Sequence, residues 1–193
     1  MTHSPPPVTT LILPGLYSSG PEHWQSYWER LDPGCRRVEQ AEWDVPRCAD
    51  WAARLDEEIA GLAGPAALVA HSASCALVAH WAGGAGAAGL ARVRGALLVA
   101  PADPEAPSFP EGPTGFAPMP LARLPFPSTV VASTNDEYVT PERAREFARA
   151  WGSRFVSAGA LGHVNSASGL GQWPGGYALL EALRRPLFAA APA

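Results

Sequence analysis

An alternation of short apolar runs with helical patterns is the feature of this sequence that most constrains its fold. A strand that pairs in parallel with an earlier strand needs a crossover connection, and that connection is usually a helix. The alternation therefore predicts a single α/β domain, with a mostly parallel sheet of about six strands and helices on both faces. The predicted strands are 8–13, 38–43, 66–70, 96–100, 128–133 and 154–157.

Helices are predicted from apolar spacing and from residues that start or stop a helix. Thr140, Pro141 and Glu142 form a start signal, because threonine caps the first turn, proline fits its first position and an acid complements its dipole. Gly152 is the matching stop. Four other helices are predicted. One begins at Pro21, a second includes 51–62, a third covers 73–81 and ends at the glycine-rich stretch 83–89, and the last covers 177–187.

Length and composition fit one domain. The 193 residues are expected to form a single unit, 1–193, with mobile tails at 1–7 and 188–193.

The net charge is -4 without any run of Lys or Arg, which argues against binding to nucleic acid or to an anionic membrane. The three cysteines have no C-x-x-C spacing, and no signal-peptide pattern or apolar run of about 20 residues is present. We expect free thiols and a cytoplasmic protein.

The segment 101–127 is so rich in proline that neither a helix nor a central strand can run through it. Loops longer than about 12 to 15 residues in compact domains are usually either functional or disordered, so this loop is a candidate for shaping a substrate pocket. We expect no large cap domain.

Ser72 is the candidate nucleophile, because it lies between a predicted strand and a predicted helix. A nucleophile elbow places its serine in such a turn, and the positions two before and two after it must be small. Here these positions are Ala70 and Ser74 rather than glycine. Taken alone, the string is weak evidence, since a serine after a strand is more often a helix cap or a turn residue.

Two later residues strengthen the case for Ser72. Asp136 follows the strand 128–133, and His163 follows the last strand, so nucleophile, acid and histidine have the chain order of α/β-hydrolases. Asp136 alone could be a turn former, whereas His163 lies in a glycine-rich loop that favours a functional role. Among the other histidines, His23 is the one that we can least exclude from the pocket.

Further site residues follow from the same geometry. The backbone N–H of Ala73 and one from the turn after the first strand would form an oxyanion hole, with Leu16 as the expected donor and Tyr17 as its reserve. Tyr17, His71 and Tyr138 are the candidate substrate-binding residues. The other apolar side chains expected near the site are Phe109, Phe116 and Met119.

In combination, the motifs of this chain resemble the retinoblastoma-binding-protein-9/YdeN family of small serine hydrolases. The resemblance runs from about Leu11 to Leu183, and this chain departs from the usual family pattern at Ser74. It implies a compact α/β-hydrolase, an esterase-like activity, and a triad of Ser72, Asp136 and His163. The motifs are 13–15, 20–25, 71–72, 135–139, 148–153, 162–165 and 172–174.

These observations favour a serine hydrolase that cleaves small to medium acyl esters, in the carboxylesterase class EC 3.1.1. An amidase or an acyltransferase could use the same triad. A different alternative is a binding or regulatory module that keeps the fold with little turnover, which the altered elbow would suit. No H-E-x-x-H, Walker or G-x-G-x-x-G string is present, so we expect no metal and no cofactor. The expected ligand is a small acyl substrate. No protein partner is indicated.

Overall fold

Six strands and six helices follow one another in the computed structural model, which describes residues 7–185. In chain order they are β1 Thr9–Leu13, α1 Trp24–Leu31, β2 Cys35–Arg37, α2 Cys48–Ala60, β3 Ala66–His71, α3 Ala73–Gly84, α4 Ala87–Ala91, β4 Val93–Val99, β5 Ser128–Ala132, α5 Pro141–Trp151, β6 Arg154–Ser157 and α6 Pro174–Arg184. Of the predicted tails, 1–7 and 188–193, only Pro7 lies within the described residues.

The strands form one sheet in the order β2-β1-β3-β4-β5-β6, and all neighbours pair in parallel. Successive side chains of a strand point to opposite faces, so each face has its own core. Leu11 and Leu13 pack with α2, α3 and α5 on one face, whereas Ile12 packs with α1 and α6 on the other. The predicted fold, a single α/β domain with helices on both faces, is confirmed.

Some boundaries differ from the predictions. The predicted strand 38–43 is wrong, because the strand at this edge of the sheet is β2, three residues earlier. The chain after β2 still makes one ladder contact, from the Val38 N–H to the Ile12 carbonyl oxygen at 2.9 Å, and then leaves the sheet. The predicted start of a helix at Pro21 is also wrong, since α1 begins at Trp24 with His23 as its cap.

Two other helices differ in extent. The glycine-rich stretch 83–89 does not simply end α3 but contains the start of the short helix α4. The last helix begins at Pro174 rather than at Tyr177, with proline in its first turn. None of the helices in the described part of the chain is long and apolar enough to cross a membrane.

The segment between β4 and β5 is a long loop, as its prolines predict. Within the described residues it contains neither a helix nor a strand of the main sheet. The Arg143 guanidinium, on α5, bonds the carboxylates of Asp103 at 3.0 Å and Glu105 at 2.6 Å in this loop. These ion pairs fasten the loop beside the carboxyl ends of the strands, where ligands of parallel sheets bind.

Candidate active site

Ser72 occupies a strained turn between β3 and α3. Its backbone angles are φ 57° and ψ -126°, a region that L-residues rarely adopt and that costs roughly 1 to 3 kcal/mol. The Ser72 N–H donates to the carbonyl oxygen of Val99 at 3.0 Å, which fixes the turn to the neighbouring strand. This conformation lifts the serine side chain above the carboxyl edge of the sheet, as in a nucleophile elbow.

The residues around the Ser72 turn are small and closely packed. Ala70 and Ser74 are 0% and 1% exposed, so the two small residues that replace glycine are both enclosed. From the turn after β1, Gly15 approaches so closely that a Cβ atom added to it would lie 2.7 Å from the Ser72 Cβ. The close contact explains why a glycine stands at position 15, a requirement that the Pro14-Gly15 turn alone does not reveal.

A chain of hydrogen bonds joins the three predicted residues. The Ser72 hydroxyl lies 2.8 Å from His163 Nε2, and His163 Nδ1 lies 2.9 Å from each oxygen of Asp136. An ionised carboxylate can only accept, so Nδ1 carries the proton and Nε2 is free to accept from the serine. The Asp136 side chain is 0% exposed and that of His163 is 6% exposed, so these contacts are shielded from water.

The loop that holds Asp136 is tied to the loop that holds His163. The Tyr138 N–H donates to Asp136 Oδ1 at 2.9 Å and fixes the carboxylate. Asn135 Oδ1 accepts the Gly162 N–H at 2.8 Å, and Ser133 Oγ accepts the Leu161 N–H at 2.9 Å. The distance between Asp136 and His163 is therefore set by loop contacts that the sequence did not lead us to expect.

His163 is also held from its other side. Val164, the next residue, has a φ of 48°, and its carbonyl oxygen accepts the Trp24 indole N–H at 2.8 Å. His71 Nε2 lies 2.9 Å from the carbonyl oxygen of His163 and donates to it. His71, predicted to bind substrate, therefore has one ring nitrogen bonded to the backbone of His163, although its ring lines the cavity.

The three neighbouring imidazoles differ in their surroundings. The His71 ring packs 4.7 Å from that of His23 and 4.9 Å from that of His163. Burial, with smaller effects of Arg37 and His163, lowers the pKa of His23 to about 3. Burial and the two flanking histidines hold the pKa of His71 well below its ordinary value. The His23 and His71 rings therefore stay neutral beside His163.

His23 does enter the pocket wall, the position that sequence reasoning left open. Its Nδ1 accepts the Gln25 N–H at 3.2 Å and caps α1, so its proton lies on Nε2. Within residues 7–185, this buried Nε2 has no hydrogen-bond partner.

The two expected backbone donors beside Ser72 are unengaged. Among the described residues, no hydrogen bond uses the N–H of Leu16 or of Ala73. The reserve donor is not available, because the Tyr17 N–H already donates to the carbonyl oxygen of Trp43 at 2.9 Å. The geometry therefore favours Leu16 over Tyr17.

A cavity of about 360 Å³ opens above the serine. Tyr17, Phe109 and Tyr138 line it as expected, but Phe116 and Met119 do not, because both are buried in the core on the α2 and α3 face. Sequence reasoning gave the remaining wall residues no site role. Two of them lie in motifs of the family resemblance and two in the loop 101–127 that was expected to shape the pocket, whereas the others lie in loop positions that give no signal. The missed residues are Ser18, Gly20, Ala102, Pro110, Asn165, Ser166 and Ala167.

The residue types in the cavity wall limit the charges that it could bind. Within residues 7–185, no Asp, Glu, Lys or Arg side chain lines the cavity. In the same part of the chain, no three His, Cys, Asp or Glu side chains are grouped so that they could hold a metal ion.

A parallel sheet with a serine elbow after β3, and with a carboxylate and a histidine on later loops of the same edge, defines the α/β-hydrolase class. The model of the serine hydrolase family matches residues 10–182, and the chain belongs to this family. A comparison with curated proteins gives no match.

Solved structures agree with this assignment. A YdeN-like hydrolase from Pectobacterium atrosepticum is 31% identical, with a TM-score of 0.79 over 93% of this chain and 94% of that chain. The ydeN gene product of B. subtilis has 19% identity and a TM-score of 0.69, over 91% and 98% of the two chains. A monoacylglycerol lipase of Paleococcus ferrophilus shares the fold at 12% identity, with a TM-score of 0.65 over 92% and 96%. The protein is thus a YdeN-like serine hydrolase.

We predict that Gly15→Ala inactivates the protein and lowers its stability, because the new methyl group would displace the Ser72 side chain. Gly83→Ala is the control, since a Cβ there meets nothing within 4 Å. Urea unfolding and labelling of Ser72 by a fluorophosphonate check both variants. Wild-type labelling in Gly15→Ala would contradict the close approach of the turn.

We predict that the free energy of unfolding falls as the pH falls from about 6.5 towards about 3. The unfolded chain binds protons at His23 and His71 in this range and the folded chain does not, so acid favours unfolding. Each histidine contributes a slope of about 1.4 kcal/mol per pH unit. Urea unfolding at several pH values between 5 and 7.5 measures this dependence of the unfolding free energy on pH.

His23→Asn is the matched variant for this pH series, because asparagine can still cap α1 but binds no proton. We expect its slope of unfolding free energy against pH to be about half that of the wild type. Equal slopes in the two proteins would contradict the burial of a neutral His23.

Proposed function

We propose that the protein is a serine esterase in which Ser72 is the nucleophile, His163 the general base and Asp136 the acid that orients the histidine. The observation that carries this proposal is the hydrogen-bonded chain from the hydroxyl through the imidazole to the carboxylate, at 2.8 and 2.9 Å. Three side chains from three separate loops meet in the order and geometry that such chemistry requires.

The reaction begins when Ser72 Oγ attacks the acyl carbonyl carbon and His163 Nε2 takes the hydroxyl proton. The C–O bond to the alcohol then breaks, and the same proton passes to the leaving oxygen. Water, deprotonated by His163, attacks the acyl-enzyme and releases the acid together with free Ser72. The buried Asp136 carboxylate stabilises the imidazolium that exists during both steps.

The negative charge of each tetrahedral intermediate would lie against the N–H groups of Leu16 and Ala73. Both donors are without an acceptor in the described structure and flank the serine. A donor of this kind is worth about 3 to 4 kcal/mol of transition-state stabilisation in comparable sites.

The proposed substrate is an uncharged ester of small to medium size. A volume of about 360 Å³ is at the lower end for ligand sites, and the wall offers apolar surface from Leu16, Tyr17, Phe109 and Tyr138. A substrate with a carboxylate or a phosphate would find no counter-charge there. Amide hydrolysis and acyl transfer use the same residues and differ only in the leaving group or in the acceptor.

We also propose that the protein acts in the cytoplasm on a small acyl substrate. Cys35, Cys48 and Cys75 are buried and free, which suits a reducing compartment. Burial raises the pKa of the Cys35 and Cys48 thiols to about 12, so neither would compete with Ser72 as a nucleophile.

We predict that a fluorophosphonate probe labels the wild type and that p-nitrophenyl esters with short acyl chains are turned over. Ser72→Ala should abolish labelling, and His163→Ala should lower kcat/KM by at least about 1,000-fold. Ser128→Ala is the control, because its hydroxyl bonds Ser153 at the opposite end of the sheet. Mass spectrometry of the labelled peptide and initial rates provide the readouts.

Two outcomes would contradict the proposal. Labelling that survives in Ser72→Ala would remove this serine from its role. An absence of turnover with every acyl chain length, in a protein that is folded by circular dichroism, would favour the binding module instead.

A further inference from the structure

Ser74 makes a contact that glycine, the usual residue two positions after the nucleophile, could not make. Its side chain is 1% exposed, and its hydroxyl donates to the carbonyl oxygen of Pro14 at 2.6 Å. The two residues are 60 positions apart in sequence. They meet because β1 and β3 are neighbours in the sheet, with Leu13 in register with Ala70.

The Pro14 carbonyl begins the turn that carries the Leu16 N–H. Within residues 7–185, the Ser74 hydroxyl is the only donor to this buried carbonyl oxygen. The far end of the same turn is held by other groups, since the Tyr17 N–H bonds the Trp43 carbonyl oxygen.

Arg37 extends this support at the far end. Its guanidinium donates to Ser18 Oγ at 2.9 Å and to the Ser19 carbonyl oxygen at 3.0 Å. Ser74 is thus the hydrogen-bonding anchor of the near end, the part that lies against the nucleophile. Loss of its hydroxyl would leave the Pro14 carbonyl without a partner and free the turn to shift.

We propose that Ser74 is a positioning residue that fixes the turn 14–16, and through it the Leu16 N–H, relative to Ser72. Ser74 does not contact the substrate, and it affects the position of the Leu16 N–H only through its hydrogen bond to Pro14. The inference rests on the proposed oxyanion role of Leu16, because a fixed turn matters for rate only if that N–H binds the developing charge. It assigns a use to a serine that stands where a nucleophile elbow ordinarily has glycine.

The test compares Ser74→Ala, Ser74→Gly and Ser74→Cys with wild type, using p-nitrophenyl acetate. Because the oxyanion forms only in the transition state, we expect kcat to fall at least about tenfold in the alanine and glycine variants, while KM stays within about twofold. Ser74→Cys, a weak donor of similar size, should retain an intermediate kcat. Ser128→Ala, which removes another buried hydroxyl, should match wild type.

Hydrogen–deuterium exchange of the segment 13–20 provides a readout that does not depend on activity. Exchange in this segment should be faster in Ser74→Ala and Ser74→Gly than in wild type, and unchanged in Ser128→Ala. Wild-type exchange and wild-type kcat in Ser74→Ala would overturn the inference. So would a full kcat in Ser74→Gly, since that variant lacks the hydroxyl.

The exchange measurement separates this inference from the proposed function. If the wild type turns over no ester, the esterase proposal fails, and faster exchange in Ser74→Ala would still support the anchoring of the turn. If the esterase proposal holds but exchange and kcat do not change in the variants, only the role of Ser74 is wrong. Should Ser74→Gly fail to fold, Ser74→Cys and Ser74→Ala give the same comparison.

Discussion

The strained turn at Ser72 is the constraint on which the rest of the site depends. A serine at φ 57° and ψ -126° must be surrounded by small groups, and the structure supplies them at Gly15, Ala70 and Ser74. The surrounding structure fixes this turn, because the Ser72 N–H donates to a carbonyl oxygen of the neighbouring strand β4 and α3 begins at the following residue. Backbone strain is thus stored where the Ser72 hydroxyl must reach His163, and the folded core supports this strain.

His163, the proposed base, depends on an equally constrained environment. His163 bonds Ser72 on one side and Asp136 on the other, while its own backbone is held by His71 and its neighbour Val164 by Trp24. Burial keeps the His71 ring neutral, so it can donate to the His163 carbonyl without adding a charge next to the imidazolium of the proposed reaction. Side chains that perform no chemistry thereby fix the tautomer and the orientation that the proposed reaction needs.

Much of this architecture could be predicted from the sequence, because the central strands are buried on both faces and are therefore continuous apolar runs. The edge strand β2 could not, since Arg36 and Arg37 lie in it and the more apolar residues follow it. The meeting of Ser72, Asp136 and His163 could be predicted because each of them follows a strand of a parallel sheet. The bond from Ser74 to Pro14 could not, since it depends on the adjacency of β1 and β3, which chain order does not state.

A crystal structure of the protein after reaction with a phosphonate ester tests the roles of Ser72, Leu16 and Ala73 most directly. We expect a covalent bond from phosphorus to Ser72 Oγ, with the phosphoryl oxygen roughly 2.7 to 3.1 Å from the N–H groups of Leu16 and Ala73. A phosphoryl oxygen that points into solvent would contradict the proposed oxyanion hole, and an adduct on a residue other than Ser72 would contradict the proposed nucleophile.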